Sequence, residues 1–467
     1  MNRALRSTEI NMLEGPLLGK VFAFALPLML SNLLQVCYSA ADMVVVGLSN
    51  VDGALGAIGT CGAFINLILN VFFGITIGAG IVVARNIGKG DKLATEKAVH
   101  TSLIIGLAAG LLCSALGVAV SRPVLALLGD EGHVLDLASL YTRIYFLGAP
   151  FLSLNNFLIA ILRAKGDTRT PLYILTLSGL ANVGLNLFFV LVLHMSVDGV
   201  ATATVIANAL STVLLTYVLS NDTSWCRLRF DRLRFDRGTA LEVIREGIPA
   251  GIQGALFSVS NMLIQSSIIG INNAVCPGGS DIIDGNAAAQ SLGDFVYTAM
   301  NSVSQAAVTF TSQHFGAKKY KRIGVVMRDC YFASFLISAA VSSIIFVFKD
   351  TFVGFYVSSD LAIRTAVTRL SIMIVPYFLC GTMEIGSSVL RGFGKSLLST
   401  TISLIGSCLL RVVWIYTIFQ VWHTLEAVYL SYPVSWILTA CIHFVFCIAI
   451  RRRYMKEQAP EIAVPAA

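Results

Sequence analysis

The chain reads as an all-α integral membrane protein in which twelve transmembrane helices form two pseudo-symmetric six-helix bundles. Three observations predict this. Composition is the first: 56% of the 467 residues are hydrophobic and 13% are charged, against roughly 25% charged in a soluble domain, and mean hydropathy is +0.78. Segmentation is the second. Twelve long apolar stretches, six before residue 220 and six after 238, each supply the ~20 residues that cross a bilayer. Internal duplication is the third. Glu14-Gly15-Pro16 leads into Ala25-Leu26-Pro27, and Glu246-Gly247-Ile248-Pro249 opens the second half in the same way. Ala84-Arg85-Asn86-Ile87-Gly88 is answered by Ser312-Gln313-His314-Phe315-Gly316, and Ile161-Leu162-Arg163-Ala164-Lys165-Gly166 by Val389-Leu390-Arg391-Gly392-Phe393-Gly394. Paired positions stay 222 to 228 residues apart (27 to 249, 88 to 316, 163 to 391). A duplication inside a membrane predicts two lobes with a substrate path between them.

The first span, 18–46, is too long for a signal-peptide core and lacks a small-residue cleavage site, so it is expected to remain as a helix. The first lobe continues through 54–84, 99–120, 138–162, 171–193 and 199–220. Hydrophobicity then collapses over 221–238, where Leu228-Arg229-Phe230-Asp231-Arg232 is repeated at once as Leu233-Arg234-Phe235-Asp236-Arg237. This segment is either a solvated basic connector or a strap on the lipid surface. The second lobe runs through 241–271, 285–312, 327–348, 366–391, 397–420 and 427–450. The domain plan is therefore an N-terminal lobe over 1–220, a cytoplasmic linker over 221–238, a C-terminal lobe over 239–454 and a Pro/Ala-rich cytoplasmic tail over 455–467. Six spans per lobe is an even number, so the lobes share one orientation and their symmetry axis lies along the membrane normal.

A net charge of +7 suggests nucleic acid, but its distribution argues otherwise. With the N-terminus in the cytoplasm, 27 of the 33 Lys and Arg fall on inner loops and helix ends. Arg122, Arg143, Lys349, Arg364 and Arg369 fall outside or near the outer face, and Arg411 falls within a span. Basic residues of this kind set topology, with both termini cytoplasmic in a cell membrane. Some are placed to meet anionic lipid heads. The expected partners are the bilayer and a small-molecule substrate, not nucleic acid, and the chain is expected to be a monomer. Ten scattered cysteines without a CxxC read as packing residues rather than a disulfide framework. Gly74-x3-Gly78 and Gly106-x3-Gly110 have the spacing that lets helices approach closely. Pro27, Pro150, Pro249 and Pro376 fall within or near span ends and are candidate bends.

Burying charge in lipid costs at least ~2.5–3.5 kcal/mol, so ionisable residues inside spans carry a functional presumption. The candidates are Asp42, Asp294, Glu384 and Arg411, with His443 a weaker one. Ser31, Gln35, Tyr38 and Asp42 step by four, three and four along one helical face. The fifth span carries Ser178, Asn182 and Asn186 at four-residue steps, and the sixth carries Thr204 and Asn208. At 1.5 Å per residue, Asp42, Asn186 and Thr204 lie roughly 7, 10 and 8 Å below the outer ends of their helices. A carboxylate with amide and hydroxyl oxygens at one depth is a credible site for a small cation or a proton. A hydrogen-bonded cluster that only holds the lobe together is the alternative. On the eighth span Gln290, Asp294, Tyr297 and Asn301 repeat the stripe, and Arg411 sits at a depth similar to Asp294. Asp294 is thus either an ion-pair partner of Arg411 or a cavity carboxylate that attracts a cationic substrate. Glu384 lies roughly 10 Å above the inner end of its span and is a second candidate for proton or substrate binding. Ser258, Asn261 and Gln265 form a polar face on the seventh span that lines the cavity or the lobe core. Met29, Met43, Met262 and Met300 are either a set able to adapt to varied hydrophobic substrates or ordinary lipid-facing or core methionines.

These residues reach a family. The chain resembles the multidrug and toxic compound extrusion (MATE) transporters over about residues 14–453. The resemblance rests on Gln35 to Gly47 (QVCYSAADMVVVG), residues 162–168 (LRAKGDT), Gly199 to Thr204 (GVATAT), Gln305 to Gly316 (QAAVTFTSQHFG) and residues 390–394 (LRGFG). It implies two six-helix lobes and export driven by a Na⁺ or H⁺ gradient. Asp42, the candidate Na⁺ site, matches the family's acidic residue on helix 1, and Asn182 matches a helix-5 asparagine. Some members carry an aspartate four residues after that asparagine; here it is Asn186, which removes one titratable group. Where some members carry acids on helix 7 or early in helix 10, this chain has Phe257 and Cys380, for which Asp294 and Glu384 are offered as replacements.

The expected function is a secondary active exporter of amphipathic, cationic organic compounds. Coupling is expected at Asp42, Asn182, Asn186 and Thr204, and the substrate cavity is drawn from Gln35, Tyr38, Asn261, Gln265, Asp294, Tyr297, Met300 and Glu384. No cofactor is implied beyond Na⁺ or H⁺ as the coupling ion. A flippase for a lipid-linked precursor is the nearest alternative, disfavoured by twelve spans and a mostly neutral interior. A membrane enzyme is disfavoured because the six histidines are dispersed and no HExxH, GxSxG or Walker A motif occurs.

Overall fold

Each turn between spans is built from a few residues whose chemistry ends one helix and starts the next. The computed structural model describes residues 9–47, 51, 54–127 and 132–462, whose regular elements are all helices, with no strand among them. The first half comprises α1 (Leu17–Gly47), α2 (Ala54–Lys89), α3 (Lys92–Leu127), α4 (Gly132–Leu147), α5 (Ala149–Lys165), α6 (Arg169–Leu187) and α7 (Val197–Ser220). The second comprises α8 (Arg237–Val275), α9 (Asp281–Gly316), α10 (Tyr320–Val347), the short α11 (Lys349–Gly354), α12 (Asp360–Met373), α13 (Tyr377–Gly392), α14 (Ser396–Ser403), α15 (Leu410–Tyr416), the short α16 (Ile418–Val421) and α17 (Leu425–Ile462). Among the described residues, nine helices are long and apolar enough to cross a membrane, and two bent pairs bring the number to eleven. The twelfth is α9, 36 residues long, whose polar stripe includes Asp281, Asp284 and Asp294.

The LRAKGDT run shows why a turn falls where it does. Gly166 closes α5 at φ +98°, and its N–H donates to the Arg163 carbonyl (3.0 Å). A side chain there would be strained, and its Cβ would also fall 2.6 Å from the Ile10 carbonyl oxygen. Asp167 comes next and starts α6 by accepting the Thr170 N–H (3.0 Å) and hydroxyl (2.6 Å). In the second half Gly394 ends α13 in the same way, at φ +71° with its N–H on the Arg391 carbonyl (2.8 Å). Lys395 stands where Asp167 does, however, and offers α14 no side-chain cap.

The prolines divide into two kinds. At Gly148 and Pro150, α4 meets α5 at 47°, and at Pro376 α12 meets α13 at 52°. Proline has no N–H to continue the ladder and crowds the preceding turn, so the fourth span of each half breaks there. Pro27 and Pro249 sit inside unbroken helical stretches instead. Two π-helical turns, Phe188–Val192 after α6 and Leu404–Leu409 between α14 and α15, insert an extra residue and rotate the side chains beyond it.

Contacts divide the chain into two compact units, one of residues 1–11 and 30–252, the other of 12–29 and 253–467. The first holds two apolar cores, around Val82, Phe157 and Leu162 and around Phe64, Phe146 and Val197. Small residues let its helices touch: a Cβ on Gly74 would fall 2.1 Å from the Gly251 nitrogen, and one on Gly110 2.6 Å from the Pro150 Cα. The second unit packs around Val296, Met300, Tyr377, Tyr429 and Trp436. All ten cysteines are free.

Candidate functional site

In the first unit, α1, α6 and α7 bring Asp42, Asn186, Asn182 and Thr204 together. The Asn186 amide donates to Asp42 Oδ1 at 2.5 Å and also lies 3.3 Å from Asn182 Oδ1. The Asn182 amide donates to Thr204 Oγ1 (3.3 Å), whose own hydroxyl bonds the Val200 carbonyl (3.0 Å). In this orientation Asn182 Oδ1 would face Asp42 Oδ1 at 2.9 Å, acceptor against acceptor, which leaves both unsatisfied. With the amide turned over, Asn182 donates to Asp42 across the same 2.9 Å and accepts the Thr204 N–H (3.3 Å). Asn186 is fully buried, and its Oδ1 has no hydrogen-bond partner. The donor set therefore fits a hard monovalent cation: one carboxylate, two amide oxygens and a hydroxyl, with one buried oxygen left over.

Gly179 allows this assembly. A Cβ there would lie 1.9 Å from Tyr38 Cε2, so glycine lets the Tyr38 ring lie flush on α6, with its hydroxyl on the Thr176 carbonyl (3.3 Å). Tyr141 and Tyr145 on α4 stack with ring centroids 6.2 Å apart. Neither Gly179 nor this tyrosine pair was legible beforehand; the one-turn spacing of 141 and 145 was the available signal. Gln35 does not join the cluster. It is exposed on α1, and only its carbonyl is engaged, by Ser39.

The second unit arranges its polar residues differently. Asp294 accepts from Gln290 Nε2 at 2.6 Å, and Gln290 Oε1 accepts from the guanidinium of Arg369. Arg369 also donates to the Asn286 carbonyl (3.1 Å) and Oδ1 (2.5 Å), and it lies over the Tyr429 ring. Asn286 in turn donates to Gln265 Oε1 (3.0 Å). Gln265 thus belongs to a buried network, while Asn261 is exposed on the same helix. Glu384 is half-buried on α13, seven residues before Arg391, which donates to Gln253 Oε1 (2.9 Å).

Three expectations are corrected. Arg411 does not pair with Asp294; it donates to Ser435 (3.0 Å) and covers the Tyr432 ring at 4.2 Å. The π-helical turn just before it rotates it toward α17. Arg369, expected outside or near the outer face, is not a solvated end group. It is 6% exposed, because the 52° break in its span folds α12 onto α9. Met300 lines no cavity: it is fully buried, its sulfur 3.2 Å from where a Gly381 Cβ would stand. Six residues beyond Asp294 is about 240° around the helix, which points it into the core.

Known proteins share this arrangement of helices. A family model described as MatE matches residues 27–188 and 249–417. A probable multidrug resistance protein, YoeA of Bacillus subtilis, is 27% identical over 82% of this chain and 82% of its own length. The multidrug export protein MepA of Staphylococcus aureus is 23% identical over 86% of this chain and 88% of its own. Among solved structures, an outward-facing multidrug resistance MATE family transporter of the MOP superfamily superposes with a TM-score of 0.87 at 20% identity, covering 96% of this chain and 99% of that one. A MOP superfamily transporter from Pyrococcus furiosus does so with 0.87 at 20%, covering 95% and 98%.

Proposed function

This chain belongs to the MatE family of multi-pass membrane transporters, and we propose that it exports amphipathic, cationic organic compounds in exchange for Na⁺ or H⁺ entering at Asp42. The observation that carries this reading is the cluster around Asp42. Its carboxylate rests on neutral amides, with no built-in cation among its hydrogen-bond partners, and a buried Asn186 oxygen is left over. Two unit charges ~4 Å apart at an effective dielectric near 20 attract by about 4 kcal/mol. One monovalent cation therefore neutralises the site with a large change in how α1 is held against α6 and α7.

The two amide orientations of Asn182 supply a chemical readout of that charge. A protonated Asp42 donates to Asn182 Oδ1. An ionised one accepts from the turned amide, or shares a cation with Asn186 Oδ1 and Thr204 Oγ1. Asn186, standing where some relatives of this family carry an acid, leaves one carboxylate and hence one positive charge per loading at this site. Names such as multidrug export protein, borne by relatives, support an organic substrate. The charge distribution supports a cell-membrane location with both termini cytoplasmic, and no covalent step is proposed.

The test is uptake of a fluorescent organic cation into proteoliposomes, with Na⁺ and H⁺ gradients imposed separately. Wild-type protein is expected to respond to one gradient, and Asp42→Asn to neither while remaining folded. Full gradient sensitivity in Asp42→Asn would exclude this site as the coupling point.

A further inference from the structure

The segment joining α7 to α8 uses its two pentapeptide copies unequally. In the first copy Leu228 is 4% exposed, and its N–H donates to the Leu219 carbonyl (3.0 Å). The N–H of Arg229 donates to His100 Nε2 (3.2 Å), which fastens the segment to α3. The second fastening is at Asp236. Its N–H donates to Thr101 Oγ1 (3.2 Å), and its carboxylate starts α8 by accepting the Thr239 N–H (2.9 Å) and hydroxyl (2.7 Å). Between these points the chain turns outward through the short 3₁₀ turn Phe230–Arg232.

The outward stretch is apolar as well as basic. Phe230, Leu233 and Phe235 are 63%, 39% and 53% exposed, and Trp225 just before them is 42% exposed. Pinning a segment at both ends while holding four large apolar side chains outward has no use for a connector that meets only water. Arg227, Arg232, Arg234 and Arg237 are exposed beside them. Arg232 lies 4.0 Å from Glu96 and 3.8 Å from Asp231. Arg234 and Arg237 have no carboxylate partner among the described residues. The segment also runs directly between two membrane-crossing helices, so connectivity holds it at the level of the bilayer surface, where aromatic side chains gather.

We propose that residues 225–237 form a docking surface for anionic phospholipid headgroups, with Trp225, Phe230, Leu233 and Phe235 seated among the headgroups and Arg234 and Arg237 meeting their phosphates. Each arginine held near an anionic leaflet strengthens attraction about fivefold. Two such residues, unpaired in the protein, make the surface sensitive to lipid charge, while the apolar side chains give it a charge-independent hold.

Hydrogen–deuterium exchange on the full chain in nanodiscs tests this. Amides of residues 230–235 are expected to exchange about tenfold more slowly in phosphatidylglycerol-containing discs than in phosphatidylcholine alone. The double variant Arg234→Gln with Arg237→Gln should abolish that difference, and Phe230→Ser with Phe235→Ser should speed exchange in both bilayers. Unchanged exchange across α5 and α13 verifies that each variant is folded. Equal exchange of the wild type in the two bilayers overturns the proposal. So does protection reproduced in neutral discs by inorganic phosphate, which would mark a site for soluble anions.

Discussion

Asp42 and Asp294 are both carboxylates within spans, each touched by a side-chain amide, yet they are provisioned oppositely. Asp42 accepts from Asn186, with Asn182 and Thr204 beyond, and no cation completes the chain of contacts. Asp294 accepts from Gln290, and behind Gln290 stands the Arg369 guanidinium. One cluster is short of a positive charge and the other carries its own. A carboxylate whose counter-charge is built in is a structural group, and one without it is a group that waits for a visitor. This contrast makes the Asp42 cluster the better coupling candidate, although both motifs look alike as stripes.

Removing the charge that waits should have the largest effect. Asp42→Asn deletes a cation attraction of about 4 kcal/mol, or ~10³-fold in ion affinity, read as loss of gradient-driven transport at near-normal thermal stability. Removing the built-in charge should do the reverse. Arg369→Ala leaves Gln290 Oε1 without its donor and Asn286 Oδ1 with the Tyr429 hydroxyl (3.3 Å) in place of two, and should lower stability by about 3 kcal/mol. Thermal unfolding in detergent checks this, and any surviving folded fraction should keep its ion dependence. If Arg369→Ala instead abolishes coupling in fully stable protein, the contrast fails.

The third prediction sharpens the comparison from the other side. Asn186→Asp adds a second negative charge beside Asp42 and should lower the coupling-ion concentration for half-maximal transport about tenfold. Asp294→Asn should matter less, costing about 1 kcal/mol with ion dependence intact, because Gln290 and Arg369 remain bonded to each other.

The smallest effect concerns a carboxylate with its cation at hand outside the membrane. Burial alone would raise Asp222, but Lys165 at 2.7 Å and Ser224 outweigh it and hold the carboxyl below its ordinary range. A depressed folded-state value stabilises above the unfolded pKa, near ~3.9, and that contribution is lost as pH falls through the lower folded value. Asp222→Asn should therefore cost about 1 kcal/mol at pH 7. The gap from wild type should close as pH falls through that depressed folded value, read by thermal unfolding.

Much of this was legible because helical arithmetic is simple. Asp42, Asn182, Asn186 and Thr204 could be placed at one depth from a fixed rise per residue, and three helices then had only to be neighbours. The duplication also exposed α9 as a span, although its polar stripe keeps it out of a hydropathy count. The features that escaped depend on departures from regular helix. The 404–409 π-turn re-aimed Arg411, and nothing in LIGSCL announces an extra residue in the turn. The break at Pro376 was visible as a candidate, but not the 52° angle that buries Arg369. Met300 was misjudged for a different reason: methionine chemistry was weighed without its phase on α9.

The unequal turns after the two LR-containing runs have one more consequence. Where Asp167 steadies the start of α6 with a negative charge, Lys395 brings a positive one to the start of α14, a sign that disfavours a helix start by about 0.3–1 kcal/mol. The eight-residue α14 then gives way to the π-turn. Two descendants of one ancestral turn have thus come to differ in durability. The eleventh crossing should be the first to fray and the fifth among the last, so ageing or heat would enter the molecule through its second copy.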